Sequence, residues 1–349
     1  MNLNTIGKLL RISRIIMRSA FTYISSYSLV GIVLLACLFS SCRFQTPDDG
    51  MVNLKIQAYM QQEKTLLRAD GDYVAINAAN PAPFNAALII STIDGSLSNT
   101  ASMNWDGSKL STNVRMEQGD YYFLGYMPWN DNATYNIDEA ILTIPNMPAL
   151  SLSNAMLIKS LEKNISTGDN HIPLQMDQML AKVTPYFYIN EEYNDLRDIR
   201  IKKVSLNIPA SSGHLYTAVV DYDVASTPST YETVWNEGSA KDFTVSRSAA
   251  SAEGELLPDN KGGAVNLGEF YICPQQNINE LSMTVTYDVY DKSGKITRAN
   301  ATATNAILQN VSGSNLLERA NHYKLYIQVI PSYLYVLSDY DENEVLVIK

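Results

Sequence analysis

The residues that could do chemistry are few and scattered. Three histidines, His171, His214 and His322, lie far apart in the 349-residue chain. No His-Glu-x-x-His, Cys-x-x-Cys, glycine-rich phosphate loop or Gly-x-Ser-x-Gly occurs. Those are the spacings that hold a catalytic zinc, a structural metal, a phosphate or a nucleophilic serine. Asp339, Asp341, Glu342 and Glu344 crowd together near the C-terminus. Such a group suits calcium, but the loop glycine of an EF-hand is missing, so a solvated turn between strands is expected. A carboxylate pair for glycoside hydrolysis need not be close in sequence, so a surface hydrolase with dispersed carboxylates stays open. Cys273 sits in Phe270-Tyr271-Ile272-Cys273-Pro274 and reads as a buried small hydrophobe. The expectation is a non-enzyme with no cofactor and no metal.

Cys42 has a different context. Lys8, Arg11, Arg14 and Arg18 are the only charges in residues 1–41. An apolar run follows, from Leu29 to Phe39. It is too short for a spanning helix, which needs about 20 residues, and has the length of a secretory core region. Leu38-Phe39-Ser40-Ser41-Cys42 then resembles a bacterial lipobox, with Phe39 where Leu is more usual. The resemblance implies cleavage before Cys42, a diacylglycerol on its thiol and an acyl chain on its new amine. Each buried CH₂ adds about 0.8 kcal/mol of membrane affinity, so several chains anchor firmly. The alternative is an uncleaved anchor with an incidental cysteine. Residues 42–50, polar and with Asp48 and Asp49, read as a tether.

The elements behind these residues read as strands. Val52, Leu54, Ile56 and Ala58 alternate with polar residues. So do Leu281, Met283, Val285, Tyr287 and Val289, and again Tyr323, Leu325, Ile327 and Val329. Such alternation puts one face in a core and the other in water. The 22 tyrosines suit half-wet strands. Asp70-Gly71, Asp94-Gly95, Asp106-Gly107, Gly119-Asp120 and Ser293-Gly294 are expected turns. One short helix is expected within 150–163 and a helical turn within 230–236, and 241–263 reads as a loop insertion. The fold class is all-β, with two tandem antiparallel β-sandwich domains and few short helices. The division expected is a signal peptide (1–41), a tether (42–50), a first sandwich (51–168) and a second (169–349) with a terminal strand in 333–349. The loop Ser166-Thr167-Gly168-Asp169-Asn170 marks the boundary. A net charge of −10 and a pI near 4.8 argue against nucleic acid, which needs a basic face.

Three features stand in order. Cys42 ends the lipobox, an alternating strand runs from Met51 to Met60, and a polar stretch ends in Leu66-Leu67-Arg68-Ala69-Asp70-Gly71. A second strand follows at Ala86-Ala87-Leu88-Ile89-Ile90. This layout resembles the fimbrillin family of Bacteroidales, the subunits of type V pili. Looser similarities are Gly119 to Pro128, Leu180-Ala181-Lys182-Val183 and Asn321 to Ile327. The resemblance implies transthyretin-like sandwiches and an outer-membrane lipoprotein precursor. It implies a trypsin-like protease cutting between Arg68 and Ala69, and removal of the strand carrying Val52, Leu54, Ile56 and Ala58. The partners implied are other pilus subunits, the outer membrane through lipid, and a host or bacterial surface ligand for adhesion.

Removing a strand strands backbone N–H and C=O groups that a neighbour's strand can satisfy. The tail Val345-Leu346-Val347-Ile348-Lys349 is apolar almost to its end, as a donor strand would be, although it could equally pair within its own domain. The tail after Val329 is short for a stalk subunit, so stalk, tip, accessory and uncleaved anchor roles stay open. A surface glycan-binding lipoprotein is the other reading, motivated by the tyrosines and by Trp105, Trp129 and Trp235.

Overall fold

A computed structural model of the chain describes residues 51–61, 73–94, 98–112, 114–221, 232–304, 316–330, 333–338 and 345–346. Cys42, Arg68, Ala69, Val347, Ile348 and the carboxylates 339–344 lie outside them. The polypeptide from Val52 to Lys349 clusters as one unit. It is built of strands, with helices of a single turn at Ile76–Ala79 and Glu191–Asn194. Among the described residues no helix is long and apolar enough to cross a membrane.

The first eight-stranded sheet has the order Tyr73–Ala75, Lys55–Gln61, His171–Gln178, Met156–Ile165, Gly119–Met127, Phe84–Thr92, Ser98–Trp105, Leu110–Thr112. Its central strands are apolar without alternation, because both faces are covered. Ala86, Leu88 and Ile90 enter one core with Trp105, Phe123 and Ile158. Ala87 and Ile89 enter a second core with Leu124, Leu142 and Leu157. Where these strands cross closest there is no room for a side chain. A Cβ on Gly125 would lie 2.2 Å from the Ala87 carbonyl oxygen.

The second core is closed by three further sheets. A seven-stranded sheet runs Leu150–Ser151, Phe270–Ile272, Ala181–Ile189, His322–Ile330, Tyr333–Ser338, Val345–Leu346, with Val265–Asn266 beside Ala181–Ile189. A five-stranded sheet centres on Arg197–Ile208 and Ser282–Asp291. A four-stranded sheet runs Glu232–Ala240, His214–Asp221, Ile141–Pro148, Thr134–Asn136. The expected alternating faces lie inside: Leu281, Met283, Val285 and Val289 are buried, as are Leu325, Ile327 and Val329.

Several expectations change. Residues 150–163 form no helix: Leu150–Ser151 and Met156–Ile165 are strands. Met156, Leu157 and Ile158 are buried in succession on both faces, which removes the period-2 signal and mimics a helical apolar face. Glu232–Ala240 is an edge strand rather than a helical turn. Within 241–263 a strand, Phe243–Ser248, pairs with Arg197–Ile208. Gly119 and Asp120 open a strand instead of making a turn. The all-β fold of mainly antiparallel sheets is as expected, with two parallel pairings among the described strands, Lys55–Gln61 with His171–Gln178 and Ala181–Ile189 with His322–Ile330. The sheets exchange strands across residue 168. His171–Gln178 belongs to the first sheet and Ile141–Pro148 pairs with His214–Asp221, so the first sheet ends at Gln178.

Candidate functional site

The leading strand Lys55–Gln61 follows the short strand Met51–Asn53, which pairs with Arg115–Glu117, and lies in a bed between two others. On one side it runs parallel to His171–Gln178, with Lys55 facing His171 and Met60 facing Met176. On the other it is antiparallel to Tyr73–Ala75, with Gln61 facing Tyr73. The short strand Tyr73–Ala75 is the sheet edge and has no other strand partner among the described residues. Among the expected displaced-strand residues, Val52, Leu54 and Ala58 are buried and Ile56 is half-buried against the same core. Beside the leading strand Ile172, Leu174 and Met176, all 0% exposed, enter the same core. The entry is pinned by the Lys55 N–H donating to the Asn170 carbonyl (2.9 Å) and the Asn170 side-chain amide donating to the Asn53 carbonyl (2.7 Å).

Its far end is closed by buried polar groups. Gln61 and Gln178 clasp each other: the Gln178 N–H donates to Gln61 Oε1 (3.1 Å) and Gln178 Nε2 donates to the Gln61 carbonyl (3.2 Å). Beside them the Tyr73 hydroxyl donates to Asp177 Oδ1, reaching across the leading strand. Asp177 is fully buried, and that burial raises its carboxyl to about pKa 6 even though Tyr73, Arg319 and Lys159 favour the anion. Asp177 Oδ2 has no hydrogen-bond partner among the described residues. The Tyr73 hydroxyl is in turn pushed well up, by burial first and then by its bond to Asp177.

Arg68 and Ala69 lie between Gln61 and Tyr73, in the connection joining the leading strand to the sheet edge. At the other end of the chain, Val345–Leu346 is the outermost strand of its sheet and pairs within its own chain, Val345 opposite Leu337 and Leu346 opposite Val336.

The other chemical candidates are not brought together. His171 is on the first sheet, His214 on the four-stranded sheet, and His322 Nε2 lies 2.8 Å from the Thr184 hydroxyl on the seven-stranded sheet. No group of three His, Cys, Asp or Glu able to hold a metal occurs among the described residues. Cys273 is buried and unpaired, and burial pushes its thiol up to about 12. Trp105 is a core residue whose indole donates to the Pro81 carbonyl. Trp235 packs edge-on to Tyr216, whereas Trp129 is exposed. Gln61, Tyr73, Asp177 and Gln178 were not anticipated from sequence. The one available signal was an acid, Asp177, inside the apolar run Met176-Asp177-Gln178-Met179-Leu180.

No family model matches the chain, and no curated protein matches it. Solved structures do. A candidate cell adhesion protein from Bacteroides uniformis ATCC 8492 is 12% identical, with a TM-score of 0.47, over 84% of this chain and 98% of that one. A fimbrial protein from Bacteroides vulgatus ATCC 8482 is 12% identical, with a TM-score of 0.42, over 81% and 98%. A candidate cell adhesion protein from Bacteroides ovatus ATCC 8483 is 13% identical, with a TM-score of 0.44, over 85% and 98%.

Proposed function

We propose that this chain is a fimbrillin-like structural subunit of a cell-surface pilus, serving adhesion. It is exported as a lipoprotein through Cys42 and assembled by strand replacement after removal of its first strand. The observation that carries this reading is the leading strand in its bed. That strand contributes apolar side chains to the core, is paired on both edges, and is joined to the sheet edge by the segment that contains Arg68.

Cutting after Arg68 separates residues up to that point from the body while leaving Tyr73–Ala75 attached. Loss of the strand uncovers Ile172, Leu174 and Met176 and unpairs the ladder of His171–Gln178. Apolar surface is worth about 25 cal/mol per Å² and buried backbone groups must be paired, so the opened bed is a strong acceptor for an extended apolar segment from another subunit. Val345, Leu346, Val347 and Ile348 are the donor segment in this reading. The described residues of that tail, Val345 and Leu346, lie in a sheet-edge ladder, which a donor must first leave. The partners are other pilus subunits, a trypsin-like protease and the outer membrane through lipid.

The test is treatment of the purified lipid-free precursor with a trypsin-like protease. Cleavage should expose Ala69 as a new N-terminus and be followed by a ladder of protease-resistant polymers on a gel. A precursor that is cut at Arg68 but stays monomeric in every condition refutes strand replacement. One left intact at Arg68 is an uncleaved anchor instead.

A further inference from the structure

Beyond the last residues of the leading strand, Met60 and Gln61, a cleft of about 910 Å³ opens. That is within the range of small-molecule sites, about 300–1,000 Å³. Three aromatic rings line it, from Phe84, Trp129 and Tyr271. Trp129 is 38% exposed, unlike Trp105 at 1%. Its backbone N–H donates to the Asn85 carbonyl at 3.0 Å and its indole N–H to the Asp131 carboxylate. Both anchors act on the backbone and on one ring edge, so the ring is held in place while part of it stays open to solvent.

The rest of the lining is polar. The amides are those of Gln61, Asn80, Asn85, Asn154 and Gln178. Gln178 is 6% exposed, and its Oε1 accepts no hydrogen bond from any described residue. The charged groups are Lys182, Arg247 and Glu269. Lys182 pairs with Glu269. Arg247 is fixed by donating from Nε to the Glu269 carbonyl and from Nη2 to the Leu152 carbonyl, each at 3.0 Å. Two cations against one anion make the cleft locally positive in a chain of net charge −10.

We propose that this cleft binds an oligosaccharide, with one sugar ring packed on Trp129 and its hydroxyls taken up by the amides and the Arg247 guanidinium. A ring whose one side is C–H groups and whose rim is hydroxyls needs this pairing of an aromatic surface with fixed donors and acceptors. A strand-adding peptide fits poorly. It needs a row of free backbone N–H and C=O groups, whereas this wall contains Asn80-Pro81-Ala82-Pro83, with two residues that carry no N–H. A purely apolar ligand would bury the Gln178 amide oxygen unpartnered and take water from the Lys182–Glu269 pair. The site is formed in the uncleaved chain, so the proposal stands independently of strand replacement.

The experiment uses the full uncleaved chain in detergent on an array of β-glucans, chitin oligomers, mucin-type O-glycans and uronate-containing oligomers. Each hit is then titrated as the free oligosaccharide while tryptophan fluorescence is followed. At least one should bind. Trp129→Ala should weaken it at least about tenfold. Trp129→Phe should bind with a smaller fluorescence change, and Leu196→Ala, exposed and outside the cleft, should bind like the parent. If Trp129→Ala melts early, Asn85→Ala, on the exposed rim, carries the same test. A blank array overturns the proposal. So does binding that is indifferent to Trp129→Ala in a variant that melts with the parent.

Discussion

At Asp177 the interior of the molecule meets pH. Its carboxyl titrates near 6 in the folded chain, against an ordinary value of 3.8. The folded state therefore holds that proton more tightly than the unfolded one. The stabilisation this gives is complete below about pH 4 and is lost as pH rises through 6, an effect on the order of 3 kcal/mol. Asp106, Asp169 and Asp291 act oppositely, since hydrogen bonds to each hold its carboxyl below the ordinary value. Their effect appears only at pH below about 4. Urea midpoints between pH 4.5 and 7 should thus fall with rising pH in the parent chain. Asp177→Asn, which can still accept from Tyr73, should flatten that slope, and an unchanged slope would show that another group titrates there. Gly125 sets a steric limit close by. A methyl group there meets a backbone oxygen that cannot rotate away, so Gly125→Ala should cost about 3 kcal/mol or prevent folding, read as a lower urea midpoint or insoluble protein.

The element that matters most is the leading strand, and one residue of its bed separates packing from pairing. Leu174 is buried beside the leading strand, in register with Ala58, and carries no polar role, so Leu174→Ala should cost about 2–5 kcal/mol, seen as a shifted urea midpoint. A chain beginning at Ala69 loses packing and pairing together. It should bind a hydrophobic dye, self-associate, and return to a non-binding state when a synthetic peptide of residues 51–61 is added. A peptide with Leu54 and Ala58 changed to Asp should not restore it, because both positions face the core. If the shortened chain is a stable, dye-silent monomer, the leading strand is dispensable. How far such elements were legible in sequence depended on their exposure. Leu281 to Val289 and Tyr323 to Val329 each have one face toward a core and alternate accordingly, so they were read correctly; Val52 to Ala58 alternates too, but the single strand expected over 51–60 is broken at Leu54 into Met51–Asn53 and Lys55–Gln61. Met156 to Ile158 is buried on both faces and was misread as helical. The clasp of Gln61, Tyr73, Asp177 and Gln178 left no local trace, because residues 117 and 104 positions apart make its hydrogen bonds. Likewise no spacing encodes the parallel pairing of the leading strand, since its partner is supplied by chain topology.

At the scale of the whole molecule, charge governs encounter. The chain carries −10, and the part after Arg68 is more acidic than the whole, because the residues up to Arg68 hold more basic than acidic groups. Removing the first strand therefore does two opposed things. It opens an apolar bed that favours association, and it raises the like charge that subunits must bring together. Like-charged bodies repel over roughly a Debye length, about 30 Å at 0.01 M salt and about 8 Å at 0.15 M. The short-range gain of filling the bed is indifferent to salt at these concentrations, whereas the long-range repulsion is not. Polymerisation of the chain beginning at Ala69 should then be slow at 0.01 M salt and several-fold faster at 0.15 M. Light scattering at fixed protein concentration measures this directly. Once formed, polymers should survive return to low salt, because an inserted strand is held by ladder hydrogen bonds and apolar packing rather than by charge. Assembly that slows with added salt would mean that complementary charged patches, not an opened strand bed, drive the subunits together.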